Sequence, residues 1–118
     1  MSRRRLMALV IVVIALTASV GTYIHDNPSG ITPISDINTG KVAVGENVTI
    51  KAKILQIIIY WDGWDFGEFL VTDGSGHISL SWRWSSFHIG QMIVARGTVG
   101  SSFYLQPTEW VEHVWLFA

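Results

Sequence analysis

Hydrophobic and polar positions along this chain fall into three regimes. The first runs from Leu6 to Ile24, 19 residues without a charge. As a helix rising ~1.5 Å per residue it spans ~28 Å, close to the ~30 Å hydrocarbon core of a bilayer. The run is uniformly apolar and lacks the polar stripe of an amphipathic core helix. The second regime is short. Asp26 to Ile34 contains Pro28, Gly30 and Pro33, which stop a helix. Ile34 to Gly40 has room for one turn of helix. Beyond Gly40 the period falls to two. Apolar residues, many of them β-branched or aromatic, alternate with polar ones between glycine breaks, which predicts an all-β domain. The division is therefore 1–25, a transmembrane anchor or signal segment; 26–40, a linker; and 41–118, the β domain.

Five strands can be drawn. Asn47–Ile59 is the first, with Val48, Ile50, Ala52 and Ile54 on one face and Thr49, Lys51 and Lys53 on the other. Its alternation breaks at Leu55-Gln56. A bulge or bend there would let one long strand serve two sides of a small barrel. Tyr60–Gly67 is a loop rich in Trp and Asp, and Phe66–Thr72 is the second strand. Asp73-Gly-Ser-Gly76 is a tight hairpin turn. His77–Trp84 is the third strand, with Ile78, Leu80, Trp82 and Trp84 opposite His77, Ser79, Ser81 and Arg83. After a short connector, Gln91–Val99 is the fourth strand. The fifth begins at Phe103–Gln106 and resumes after Pro107 towards Trp115.

Three stretches resemble a known family. Val44-Gly45-Glu46-Asn47-Val48-Thr49-Ile50-Lys51-Ala52 resembles the first-strand entry of OB-fold domains. Phe69 to Leu80, with its Asp-Gly-Ser-Gly turn, resembles their second-to-third-strand hairpin. Ile89 to Val99 resembles their fourth-strand entry. Together they cover about 60 residues. The resemblance implies a five-stranded OB-fold Greek-key barrel behind the single N-terminal hydrophobic helix. Its ligand face would lie on the second and third strands, bordered by the loop between the first and second. It does not fix the ligand, because one fold hosts many functions.

A second resemblance is to the haem chaperone of cytochrome c maturation, also a short protein with an N-terminal span and an exported OB-fold. His113-Val-Trp-Leu-Phe117 resembles its haem-attachment segment, with Phe117 where that family has tyrosine. It implies haem as a cofactor, held at His113.

Charge sharpens these readings. The formal net charge is −1, but Arg3, Arg4 and Arg5 precede the apolar run. By the positive-inside rule the N-terminus is cytoplasmic and residues 25–118 lie outside the cell membrane. If the run is a signal peptide instead, the domain is secreted. From residue 30 onward five basic residues face eight acidic ones, a net −3. That is a poor start for gripping a phosphate backbone. There are no cysteines, which excludes disulfides and thiol chemistry. No nucleophile elbow, HExxH or P-loop is present, and the four histidines have no metal-ligand spacing. Asn47-Val-Thr49 is a glycosylation sequon. The sequence thus predicts no enzyme, no catalytic residues and no metal.

The six tryptophans point to binding. Trp61 and Trp64, in the loop beside the expected ligand face, would supply stacking area, and Arg83 a directional charge. The expectation is a membrane-anchored, extracytoplasmic OB-fold module with no cofactor. It would be held in the membrane by residues 6–24, and would bind an oligosaccharide, a peptide or a membrane protein. The first alternative is the haem chaperone using His113. The second is single-stranded nucleic-acid binding by stacking, which predicts a steep salt dependence.

Overall fold

The period-two segments pair into a closed barrel with strand order β1-β2-β3-β5-β4. The architecture is that of a computed structural model, which describes residues 2–59, 65–83, 85–101 and 103–114. The strands are β1 (Asn47–Ile59), β2 (Gly67–Thr72), β3 (His77–Trp82), β4 (Met92–Ser101) and β5 (Tyr104–His113); helices α1 (Arg3–Asp26) and α2 (Ile34–Asn38) precede them. The expected five-stranded barrel behind one long helix is what the chain forms.

The interior follows from the alternation. Ile50, Ala52 and Ile54 of β1, Phe69 and Val71 of β2, Ile78 and Leu80 of β3, Ile93 of β4 and Leu105 of β5 are fully buried. Each large member of this set contributes roughly 1.5–3 kcal/mol by leaving water. The break at Leu55-Gln56 is a bulge: the β1–β2 register shifts between Ile54 and Gln56. Before it β1 pairs with β4, after it with β2, and Lys53 faces both Met92 and Thr72. The connector before β4 seals the bend, with Gly90 N–H donating to Ile54 O and Ile54 N–H donating to Gln91 O.

Several strand bounds move by one or two residues from the sequence expectation, and two of the differences bear on the site. β3 ends at Trp82, and Trp84 lies outside the described residues. β5 does not stop at Pro107: it runs through it with an irregular register opposite Arg96–Thr98. The reason is Gly97. A Cβ there would sit 2.0 Å from Gln106 O and 2.7 Å from Pro107 Cα, so only glycine lets β5 cross this closely.

The predicted turn of helix is α2, and it plugs one end of the barrel with Ile34 and Ile37, both buried. Asp73 of the β2–β3 turn accepts from Ile34 N–H at 2.9 Å, and Ser75 Oγ from Ser35 N–H at 3.1 Å. Burial pushes the Asp73 carboxyl up, but the Ser75 hydroxyl and the N–H groups of Ile34, Ser75 and Gly76 outweigh it. The group is held below the ordinary carboxylate value. The sequon is absorbed into the sheet. Thr49 is buried and accepts from Arg96 Nη1, and Asn47 Oδ1 accepts from Thr98.

α1 behaves differently. Its most apolar 18-residue window is 0% buried, and among the described residues it is the one helix long and apolar enough to cross a membrane by length and composition. Only its last turn meets the barrel. Asp26 is fully buried, His25 lies 2.8 Å from both Asp26 and Glu112, and Lys51 donates to Asn27.

Candidate functional site

The outer face of β2 and β3 is set by the same alternation that builds the core. With Phe69, Val71, Ile78 and Leu80 inside, Glu68, Leu70 and Thr72 of β2 and His77, Ser79 and Ser81 of β3 point outward. The register puts Leu70 beside Ser79 and Glu68 beside Ser81. β5 extends the face through Tyr104, which pairs with Ser79. The result is a shallow surface of small hydroxyls and half-buried apolar groups. Arg83, exposed just past the end of β3, continues the outward row of Ser79 and Ser81.

One end of this face carries Phe103, in the turn between β4 and β5. It is 50% exposed and has φ = 65°, the one left-handed non-glycine residue among those described. That conformation costs about 1–2 kcal/mol for an L-residue. It persists because the surroundings over-determine it. Phe103 N–H donates to Asn38 Oδ1, Ser79 N–H donates to Phe103 O, and Asn38 Nδ2 donates to His77 O. The Phe103 ring lies on the His77 ring with centroids 5.6 Å apart. Helix α2, through Asn38, thus holds an exposed aromatic pair at the corner of the face. Sequence reading places Phe103 at a strand start and misses this. The adjacent Gly100-Ser-Ser turn was the available signal.

The other end opens into a groove of about 380 Å³ lined by Trp82, Arg83, Phe87, Val111 and His113, with His25 and Glu112 along one side. Phe87 is buried and tilts against Phe69 at 5.5 Å. His113 stacks on Phe87 with centroids 4.5 Å apart. Ser85, just upstream, is anchored by Asp65, which accepts from its N–H at 3.0 Å and from its hydroxyl at 2.5 Å.

The structure therefore brings together Arg83 and His113, which the sequence assigned to rival sites. Trp61 and Trp64 lie outside the described residues. Trp82 is half-buried and packs against the core, in keeping with its inward parity. His113 lies face-on against Phe87, and its Nδ1 is engaged with Gln91 Nε2.

Several of the acids have local partners, although the pairs consume bases as well and leave the net charge unchanged, and Glu112 itself lines the groove. Glu109 pairs with Arg96 at 2.6 Å, Asp36 with Lys41 at 3.9 Å and Glu112 with His25 at 2.8 Å. Asp65 and Asp73 hold backbone turns. On the described β2–β3 face itself the acid is Glu68.

No family model and no curated protein matches the chain. Solved structures do. One is a chain of the S. pombe Stn1–Ten1 complex, with TM-score 0.58 and 12% identity over 77% of this chain and 81% of that one. Another is the telomere capping protein Ten1 from Saccharomyces pombe, with TM-score 0.54 and 12% identity over 71% and 79%. These neighbours correct the main reading of the sequence. An extracytoplasmic module anchored in the membrane by residues 6–24 is not what they point to, and the placement of residues 25–118 outside the membrane goes with it. The physical reason is that length, apolarity and three leading arginines do not by themselves fix what the first 24 residues meet. A span, a signal sequence and an apolar helix with another use satisfy the same test. What the likeness carries is the fold: the β domain is an OB-fold barrel.

Proposed function

We propose that this barrel binds single-stranded nucleic acid across the outer face of β2 and β3, and does no chemistry on it. The observation that carries the reading is Phe103. A half-exposed phenyl is held in a costly backbone conformation by Asn38 and Ser79, against His77, beside the strand face. Stacking on such a ring is tolerant of sequence, because every base has a π-face. Tyr104 and Leu70 add apolar area along the face, and Ser79 and Ser81 add hydroxyls. One of the solved neighbours is a telomere capping protein, which supports the same reading.

The charge distribution changes the expected signature. Arg83 is the cation that follows the described face, so few counterions are released on binding. With one phosphate neutralised, log K falls against log salt with a slope of about −0.7. Stacking, rather than ion pairing, supplies the affinity.

The test is fluorescence anisotropy of a labelled 12-nucleotide single strand with the full-length chain in mild detergent. Phe103→Ala weakens binding by roughly 5- to 150-fold, the equivalent of ~1–3 kcal/mol of lost base stacking. Absence of binding by the unsubstituted protein at tens of micromolar, or affinity indifferent to Phe103→Ala, removes the proposal.

A protein partner is the second reading, and α1 favours it. Leu6, Ile11, Ile14, Leu16 and Ile24 are each more than half exposed. One of the neighbours is itself a complex of two proteins. Mass measurement of what co-purifies with the full-length chain, against a chain beginning at residue 25, checks it.

A further inference from the structure

The groove at the far end of the face sets Arg83, Ser86 and His113 beside the carboxylate of Glu112, and one amide orients His113 within it. Gln91 Oε1 accepts from His88 N–H at 3.1 Å, so the Gln91 amide is oriented with Nε2 towards His113. An amide nitrogen has only hydrogens to offer, and it meets His113 Nδ1. Nδ1 must therefore accept, which leaves the ring proton on Nε2. His113 is held flat on Phe87 and lines the groove as an N–H donor. Arg83 lines the same groove and has no ion-pair partner among the described residues. Its guanidinium offers a planar fork of five donors suited to phosphate oxygens. Ser86 adds a hydroxyl and Trp82 an aromatic wall. Glu112 also lines the groove, but its carboxylate accepts from His25 at 2.8 Å, and that pair closes one side.

We propose that this groove is a phosphate-monoester subsite, in which Arg83 and the His113 Nε2–H bind the terminal phosphate of a nucleotide while Trp82 meets its base. The inference rests on the single-strand reading for one source of that phosphate, the end of a bound strand. A free mononucleotide carries the same chemistry. The outward row from His77 to Arg83 leads into the groove, and the His25–Glu112 pair walls it off. A strand lying on the face therefore ends here instead of passing through.

The experiment uses the full-length chain and four probes: the same labelled 12-mer bearing a 5′-phosphate, a 3′-phosphate or hydroxyls at both ends, and adenosine monophosphate as competitor. One phosphorylated 12-mer binds about tenfold tighter than the hydroxyl form, as expected for one charge-assisted pair. The ratio falls to near one in Arg83→Ala and in His113→Ala, and is kept in Phe103→Ala, where both affinities drop together. The 15N imidazole spectrum supplies a readout that structural damage would not mimic. His113 carries its proton on Nε2 in the free protein, and that resonance moves when the monophosphate is added. Equal binding of all three 12-mers overturns the subsite and leaves the strand reading standing. Binding of the monophosphate at His113 without binding of any 12-mer keeps the subsite and removes the strand reading. A free His113 protonated on Nδ1 overturns the donor assignment outright.

Discussion

The two ends of the barrel are closed by different means, and the difference decides what each can do. At one end α2 is a plug of Ile34 and Ile37, tied to the β2–β3 turn and the β4–β5 turn by hydrogen bonds from side chains to backbone. That end displays an aromatic pair, Phe103 and His77. At the other end there is no helix among the described residues between β3 and β4. Phe87 fills the barrel and His113 lies over it, leaving a groove with Arg83 on its rim. A plug that satisfies its own polar groups presents a surface. A short connector leaves a groove above Phe87 in which Arg83, Ser86 and His113 stand beside Glu112.

The comparison breaks most sharply with core truncations at each end. Phe87→Ala costs about 3–5 kcal/mol, and Ile37→Ala about 2–5 kcal/mol, read by urea denaturation. Their local effects separate. In two-dimensional NMR, Phe87→Ala shifts the His113 ring and spares Phe103 and His77, and Ile37→Ala does the reverse. Identical shift patterns would show that the two ends are one cooperative unit and not two devices.

A smaller effect of opposite sign sharpens the contrast. Phe103→Gly relieves a left-handed φ that glycine adopts freely and raises stability by about 1 kcal/mol. It abolishes the stacking contribution at the same time. A loss of both stability and binding would mean that the ring is there for packing.

The smallest effect is in acid and belongs to the plugged end. Asp73 is held below its ordinary value when folded, so its contribution is complete above the unfolded carboxylate value of about 4. It is lost as pH falls through the lower, folded value. A thermal melt followed from pH 6 to pH 3 therefore shows Tm falling below about pH 4. Asp73→Asn flattens part of that fall and leaves the groove end unchanged.

Much of this was legible in the residues. The bounds of β1, the bulge after Ile54, the hairpin at Asp73–Gly76 and the absent helix before β4 all follow from local pattern. Alternation and turn chemistry are properties of neighbours in sequence. The candidate site was only half legible. Arg83 was placed by its parity with Ser79 and Ser81, and the face by the OB-fold resemblance. Phe103 was missed because its backbone state is set by Asn38, 65 residues away. His113 entered only through the alternative haem resemblance, and nothing near it in sequence reveals its contacts with Gln91 and Phe87.

The sequence by itself determined a long apolar helix, five strands and which side of each strand faces inward, because those depend on periodicity and local sterics. Only the tertiary structure decided which partners the acids meet, that Arg83 and His113 line one groove, and that His113 lies on Phe87 beside Gln91. Those depend on hydrogen-bond partners that the closing barrel brings together from distant parts of the chain. The use of α1 belongs to the same class: apolarity and length are written in the residues, and what they meet is not.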